Sequence, residues 1–247
     1  MAEGSIGNLI EIWRYPVQSM RGEALTDTEI GADGVVGDRA YGIVDPESGT
    51  VVSSAQGRRK WRDIVTFAAR YRGGPTANGA AAPIDILLPD GTVLAGEQPD
   101  IDARLTALLG QPAHLADKAA ENVRSTYDHA PLHLLTTASL RQFSRLRPES
   151  RFTPARFRPN LVIDTGETSG FLEQGWLERR FRIGETEIAV SEHCIRCVMT
   201  TLPQGDLPMD PAVLHTVTMR NNTRAGIYAA VARPGRVRIG DPVYALA

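Results

Sequence analysis

Cys194 and Cys197 are the only thiols in 247 residues, and they stand in the stretch His193-Cys194-Ile195-Arg196-Cys197-Val198-Met199-Thr200-Thr201. Soft sulfur beside a fixed positive charge suits a thiophilic metal carried on an anionic organic group. A structural zinc takes four ligands, and neither a second Cys-x-x-Cys nor a paired His completes such a set. A dithiol redox pair places its first sulfur at a helix N-terminus, whereas Val198-Met199-Thr200-Thr201 reads as a strand ahead of Pro203. From these residues alone, a buried or oxidisable Cys pair, metal ligation and redox chemistry all stay open.

Other polar groups stand in apolar surroundings. Residues 151–160 read Arg-Phe-Thr-Pro-Ala-Arg-Phe-Arg-Pro-Asn and run into Leu161-Val162-Ile163, which puts three arginines and Asn160 at the mouth of a strand. Either they bind a ligand there, or they are surface arginines resting their stems on Phe152 and Phe157. Asp38 and Arg39, after Gly37, can equally be a turn residue and a surface charge. Ser19, in Tyr15-Pro-Val-Gln-Ser-Met-Arg-Gly22, reads first as a strand end. His133, His193 and His215 leave a Ser/His/Asp hydrolase open, although no Gly-x-Ser-x-Gly elbow supports one.

The elements that must position these groups are mostly short strands punctuated by turns. Residues 7–15 alternate before Pro16. Residues 39–44 and 50–53 form a hairpin through Asp45-Pro-Glu-Ser-Gly49, and residues 84–88 and 92–94 form another through Pro89-Asp90-Gly91. Helical periodicity is sparse: residues 99–109, with apolar positions 101, 105, 108 and 109, and residues 138–146 behind Thr137 as a cap. The polar stretch 116–128 reads as a boundary. Strands resume at 160–164, 181–183, 187–191, 197–202, 227–231 and 243–245. This spacing predicts a mainly β chain built as antiparallel barrels or sandwiches, a β-rich α+β arrangement with few short helices. Neither a Gly-x-Gly-x-x-Gly motif nor a Gly-Lys-Ser/Thr phosphate loop is present.

Composition bounds the class of partner. The chain is 42% hydrophobic and 23% charged with a formal net charge of −2, which argues against nucleic acid or an anionic membrane. No apolar run approaches a membrane span, and the first residues lack a basic-then-apolar pattern, so a cytoplasmic location is expected. Of 27 basic residues only Lys60 and Lys118 are lysines, leaving 25 arginines. Arginine offers a planar fork for phosphate and heterocycle contacts. Neither lysine lies in a recognisable pocket for a Schiff base, so no covalently bound pyridoxal phosphate is expected.

In order and spacing these segments resemble the MOSC family, the domain at the C-terminus of molybdenum cofactor sulfurases. Tyr15-Pro-Val-Gln-Ser19 resembles the family's Tyr-Pro-Val-Lys-Ser, with Gln18 in the Lys position. Gly37-Asp38-Arg39 resembles its Asp-Arg element, Phe157-Arg158-Pro159-Asn160 its Phe-Arg-Pro-Asn motif, Arg196-Cys197 its Arg-Cys segment, and Gly240-Asp241-Pro242-Val243 its closing strand. The Thr-x-Asp-Pro-x-Thr-Gly continuation stands here as Thr201-Leu-Pro-Gln-Gly-Asp-Leu207. The resemblance implies an N-terminal MOSC β-barrel domain over residues 6–112 and a MOSC β-barrel domain over residues 120–246. It further implies relatedness to amidoxime-reducing proteins, with a molybdenum cofactor between the halves. Cys197 would be metal ligand and catalytic residue, and Ser19, Arg39, Arg158, Asn160 and Arg196 would bind the cofactor. The implied activity is reduction of N-hydroxylated or N-oxidised small molecules. Two cysteines cannot hold an iron-sulfur cluster, so electrons would come from a separate flavin, haem or iron-sulfur protein. A cofactor or sulfur carrier with persulfide on Cys197 or Cys194, and a non-catalytic binding module, are the alternative readings.

Overall fold

A computed structural model describes residues 4–55, 61–75, 82–123 and 130–246. Lys60 and residues 124–128 of the expected boundary lie outside the described residues. The first half of the chain carries β1 (Gly7–Arg14), β2 (Glu23–Leu25), β3 (Asp27–Gly31), β4 (Gly34–Val35), β5 (Tyr41–Asp45), β6 (Thr50–Val51), β7 (Ala68–Tyr71), β8 (Ile84–Leu87), β9 (Val93–Ala95), α1 (Ile101–Leu109) and β10 (His114–Asp117). The second half carries β11 (Leu132–Thr136), α2 (Thr137–Leu146), α3 (Pro154–Phe157), β12 (Leu161–Asp164), β13 (Arg180–Ile183), β14 (Thr186–Ile195), α4 (Pro211–Asn221), β15 (Arg224–Arg233), β16 (Gly235–Arg238) and β17 (Pro242–Leu246).

The chain is mainly β. Strands β12, β11, β15, β14, β13, β17 and β1 pair in that order, and β1 returns to β12, so seven strands close into a barrel. Closure leaves no free edge in the ring. Every pairing is antiparallel except β11 with β12. The alternating pattern of β1 explains its place, because Leu9 and Ile12 are fully buried across a bulge between Leu9 and Glu11. Leu134, Ile163, Phe181 and Ile227 fill the same interior. Residues 6–112 and 120–246 are interlocked: β1 is a stave of the closed barrel, and β3 pairs with β16. A second core, including Val17, Met20, Ile43, Ile64, Ile86 and Leu105, lies under the sheets β10-β5-β6 and β7-β8-β9.

Both expected hairpins form, as β5–β6 and β8–β9. Helix α2 starts one residue early, because Thr136 is the cap, accepting from the Ser139 N–H at 3.2 Å, while Thr137 donates to Asp164 at 2.8 Å. The strand expected at 197–202 is not one. Val198–Thr201 is a 3-10 turn capped by Cys197. The Thr200 and Thr201 hydroxyls donate to the Cys197 and Val198 carbonyls at 3.0 and 2.7 Å, so local bonds replace a ladder. Helix α4 lacks a clean apolar stripe and was not expected, although Asp210-Pro211 carries its start signal: the Asp210 carboxylate accepts from Ala212 N–H at 3.0 Å with Pro211 in the first turn. Among the described residues no helix is long and apolar enough to cross a membrane.

One ionic contact ties α1 to β10 and the turn after it. His114 Nδ1 meets Asp102 at 2.6 Å and its Nε2 meets Glu121 at 2.7 Å. These two contacts, Asp102 first, raise the His114 pKa. Its contribution to stability is therefore complete below the unfolded-state value of about 6.5 and is lost as pH rises through the higher folded-state value. The side chains are about two-fifths exposed, so solvent screening keeps the effect small. The unfolding midpoint of wild type should exceed that of His114→Gln near about pH 6 and converge with it near about pH 9. A gap independent of pH would count against this assignment.

Candidate functional site

Tyr15, where β1 ends, organises one side of the site. Its backbone N–H donates to Asp38 at 2.7 Å, its carbonyl accepts from the Arg39 N–H at 2.7 Å, and its hydroxyl donates to the Pro159 carbonyl at 3.0 Å. These bonds bring Gly37-Asp38-Arg39 and Phe157-Arg158-Pro159-Asn160 to one buried ring. The Arg158 guanidinium lies 4.3 Å and that of Arg39 5.2 Å from the ring centre. Arg39 also pairs with Asp38. Burial raises the Tyr15 phenol, against the pull of Arg158 and Arg39, so it stays a neutral platform.

Arg156 and Arg158 are not surface arginines resting on phenylalanine; they are 1% and 6% exposed. Arg158 takes φ 56°, reversing the chain between α3 and β12, while Arg39 has φ 52° and Ser19 φ 70°. A left-handed conformation costs a residue other than glycine about 1–3 kcal/mol, and it clusters where geometry serves a ligand. Three of the five expected cofactor-binding residues adopt it. Asn160 is fully buried and its amide meets backbone, donating to the Trp13 carbonyl at 3.3 Å and accepting from the His133 N–H at 3.1 Å. It staples the turn. Ser19 is 3% exposed, and its Oγ accepts from the Ser54 N–H at 3.3 Å.

The thiol segment joins this arrangement through Arg196. That residue follows β14, and its N–H is fixed to the Thr223 carbonyl at 2.8 Å. Its guanidinium donates to the Phe157 carbonyl at 2.6 Å and to Cys194 Sγ at 2.5 Å, and lies 5.8 Å from the Phe157 ring centre. Its buried Nε has no partner among the described residues. Cys194 is fully buried, whereas Cys197 is exposed at the head of its 3-10 turn. The first sulfur therefore sits at a strand end and not at a helix N-terminus. Arg196 thus bridges the thiol segment to the residue before Arg158. Burial, then repulsion from Arg39 and Arg196, push the Arg158 guanidinium down to about 10, against the pull of Tyr15 and Asp38. Among the described residues Asp38 is the one carboxylate paired to any of these three arginines. Such a surplus of forked cations suits an anion with several oxygens.

Two further residues hold this geometry in roles not expected from sequence. Arg156 donates to the carbonyls of Arg151, Thr200, Leu202 and Pro208 at 2.8–3.5 Å, clamping the turn that carries Cys197. His133 is 3% exposed and places its ring nitrogens against the carbonyls of Arg158 and Ala225. Among the described residues both of its ring nitrogens face carbonyls and neither faces a serine, so His133 does not stand as the base of a hydrolase triad. Neither has a local signal, since a lone His in Leu-His-Leu-Leu and an Arg among arginines look ordinary. Among the described residues no three His, Cys, Asp or Glu side chains could together hold a metal ion.

The structure thus combines a closed β-barrel, arginines gathered around the Tyr15 ring and the exposed thiol of Cys197. The chain belongs to the MOSC domain family, whose pattern it matches over residues 111–244, with the MOSC N-terminal beta barrel domain over residues 6–62. It is 24% identical over 291 residues to mitochondrial amidoxime-reducing component 1 of Mus musculus, covering 98% of this chain and 83% of that protein. To mitochondrial amidoxime reducing component 2 of Homo sapiens it is 26% identical over 289 residues, covering 97% and 83%. It is also 33% identical over 147 residues to molybdenum cofactor sulfurase of Drosophila grimshawi, covering 56% of this chain and 18% of that protein.

Proposed function

We propose that this protein is a molybdenum-cofactor-dependent reductase of N-hydroxylated or N-oxidised small molecules, fed with electrons by a separate flavin, haem or iron-sulfur protein. The observation that carries this reading is the Arg196 bridge, which joins the exposed Cys197 segment to the Arg158–Tyr15–Arg39 stack and leaves a buried Nε without a partner among the described residues. An unsatisfied donor on one of three guanidiniums that share one carboxylate fits a phosphate-bearing group, and a single exposed thiol fits one protein ligand to a metal carried on it. Arg39, Arg158 and Arg196 would grip the anionic end, with Tyr15 holding the first two in register. Asn160 would position the turn, Ser19 would line the first-half side, and Cys197 would supply the thiolate. When bound, the cofactor supplies the two-electron chemistry that removes oxygen from substrate. The similarity to amidoxime-reducing components supports this reading, and that to molybdenum cofactor sulfurase supports a second one, a cofactor or sulfur carrier. The buried Cys194 against Arg196 is the observation that favours the second.

Protein made in a molybdenum-replete host should carry molybdenum by elemental analysis and should reduce an N-hydroxylated amidine with an artificial donor. Molybdenum or sulfane sulfur without turnover would favour the carrier. Arg39→Lys and Arg158→Lys keep the charge but lose the fork, so cofactor occupancy after purification should fall, with affinity down about tenfold. Equal occupancy in wild type and both variants would refute the arginine assignment.

A further inference from the structure

We infer that His133 is a positioning residue that sets the Arg158 guanidinium for its anion by donating Nδ1–H to the Arg158 carbonyl. The inference rests on the anion-binding reading of the arginine cluster.

Arg158 occupies a left-handed backbone conformation, so neighbouring bonds must hold it there. Its N–H is taken by the Pro154 carbonyl at 2.7 Å. Each of the next three carbonyls is held by a different residue. Tyr15 Oη donates to Pro159 O at 3.0 Å and Trp13 N–H to Asn160 O at 2.8 Å. The Arg158 carbonyl, the one nearest the guanidinium along the chain, faces His133 Nδ1 at 3.2 Å. The same histidine exchanges two more bonds with this turn: its N–H donates to Asn160 Oδ1 at 3.1 Å, and its carbonyl accepts from the Asn160 N–H at 2.8 Å. One residue of β11 therefore fixes both ends of the Arg-Pro-Asn turn.

The ring has one proton to give. Burial first, then the positive charges of Arg196 and Arg39, hold the His133 pKa down at about 3, so the imidazole is neutral. Its other nitrogen, Nε2, lies 3.4 Å from the Ala225 carbonyl, a longer contact than the one at Nδ1. The proton is assigned to Nδ1 on that geometry. The ring is also confined. A Cβ on Gly226, which has φ +83°, would come within 2.3 Å of Nε2, and the Tyr228 ring lies 5.5 Å away. Gly226 thus makes the room in which His133 can face Arg158.

The test compares wild type with His133→Asn, His133→Gln, His133→Leu and Arg158→Lys, using inorganic phosphate binding by calorimetry on protein made without molybdenum. An Asn amide can reach the place of Nδ1, whereas a Gln amide falls nearer Nε2. His133→Asn should stay within about twofold of wild type, and His133→Gln and His133→Leu should lose about five- to tenfold. Phosphate binding by wild type that drops in Arg158→Lys but not in His133→Leu would overturn the role of His133 alone. Wild type and Arg158→Lys binding phosphate equally, or not at all, would overturn the anion site and this inference with it. A nitrogen NMR spectrum of the wild-type ring should show the proton on Nδ1. A proton on Nε2, or equal losses in the Asn and Gln variants, would mean that His133 only fills space.

Discussion

Cys197→Ser should lose molybdenum and reductase turnover by about a hundredfold or more, while Cys194→Ser keeps most of both. The asymmetry follows from where the sulfurs lie. Cys197 is exposed at the head of its 3-10 turn and its side chain accepts no cap bond, so its replacement should change stability by under about 0.5 kcal/mol. Loss of function there cannot then be laid to unfolding. Cys194 is fully buried and accepts from Arg196, and a serine hydroxyl can accept in its place. Elemental analysis, turnover with an artificial donor and the sulfur count at the metal from X-ray absorption check the pair. If both variants lose activity equally, and persulfide or a disulfide is found at either position, the metal-ligand assignment of Cys197 should be abandoned.

Arg156→Met should destabilise the protein by about 3 kcal/mol, measured by urea unfolding. The side chain is 1% exposed, and its guanidinium serves four carbonyls from three separate segments, with no carboxylate bonded to it among the described residues. Burial holds its pKa down, partly offset by Asp210. A methionine would fill comparable volume but leave the Thr200 and Pro208 carbonyls without a donor. Each such orphan costs about 1–3 kcal/mol, reduced where water enters. Arg156→Lys should fall between the two, since an ammonium cannot span the same set. A change under about 0.5 kcal/mol for Arg156→Met would show that these carbonyls find water at no cost.

Much of the strand content was legible because β1, β5, β8, β12 and β13 carry their own alternation or short apolar runs bounded by turn residues. The 3-10 turn after Cys197 was not. Val198-Met199-Thr200-Thr201 has the composition of a strand, and only the absence of a neighbouring ladder, with threonine hydroxyls closing local bonds, makes it a turn. Helix α4 was hidden for the opposite reason, since His215, Thr216 and Thr218 break its apolar stripe, and the polar Thr216 is buried beside Val213 and Val217.

The sequence by itself determined the residue types of the candidate site and their order: Ser19, Asp38-Arg39, Phe157-Arg158-Pro159-Asn160 and Arg196-Cys197, on a mainly β chain. It also bore the marks of the MOSC family, because these motifs are short and contiguous. Only the tertiary structure decided which of them touch. Tyr15 and Pro159 are 144 positions apart, and Phe157 and Arg196 are 39 apart, yet each pair shares a hydrogen bond. Such contacts depend on β1 completing the barrel between β17 and β12, and no local pattern encodes that pairing. The structure alone also separated the two sulfurs into one buried and one exposed. It turned Arg156 and His133 from ordinary residues into the clamp on the Cys197 turn and the hand on Arg158, because a buried polar group takes its meaning from the partners that burial forces upon it.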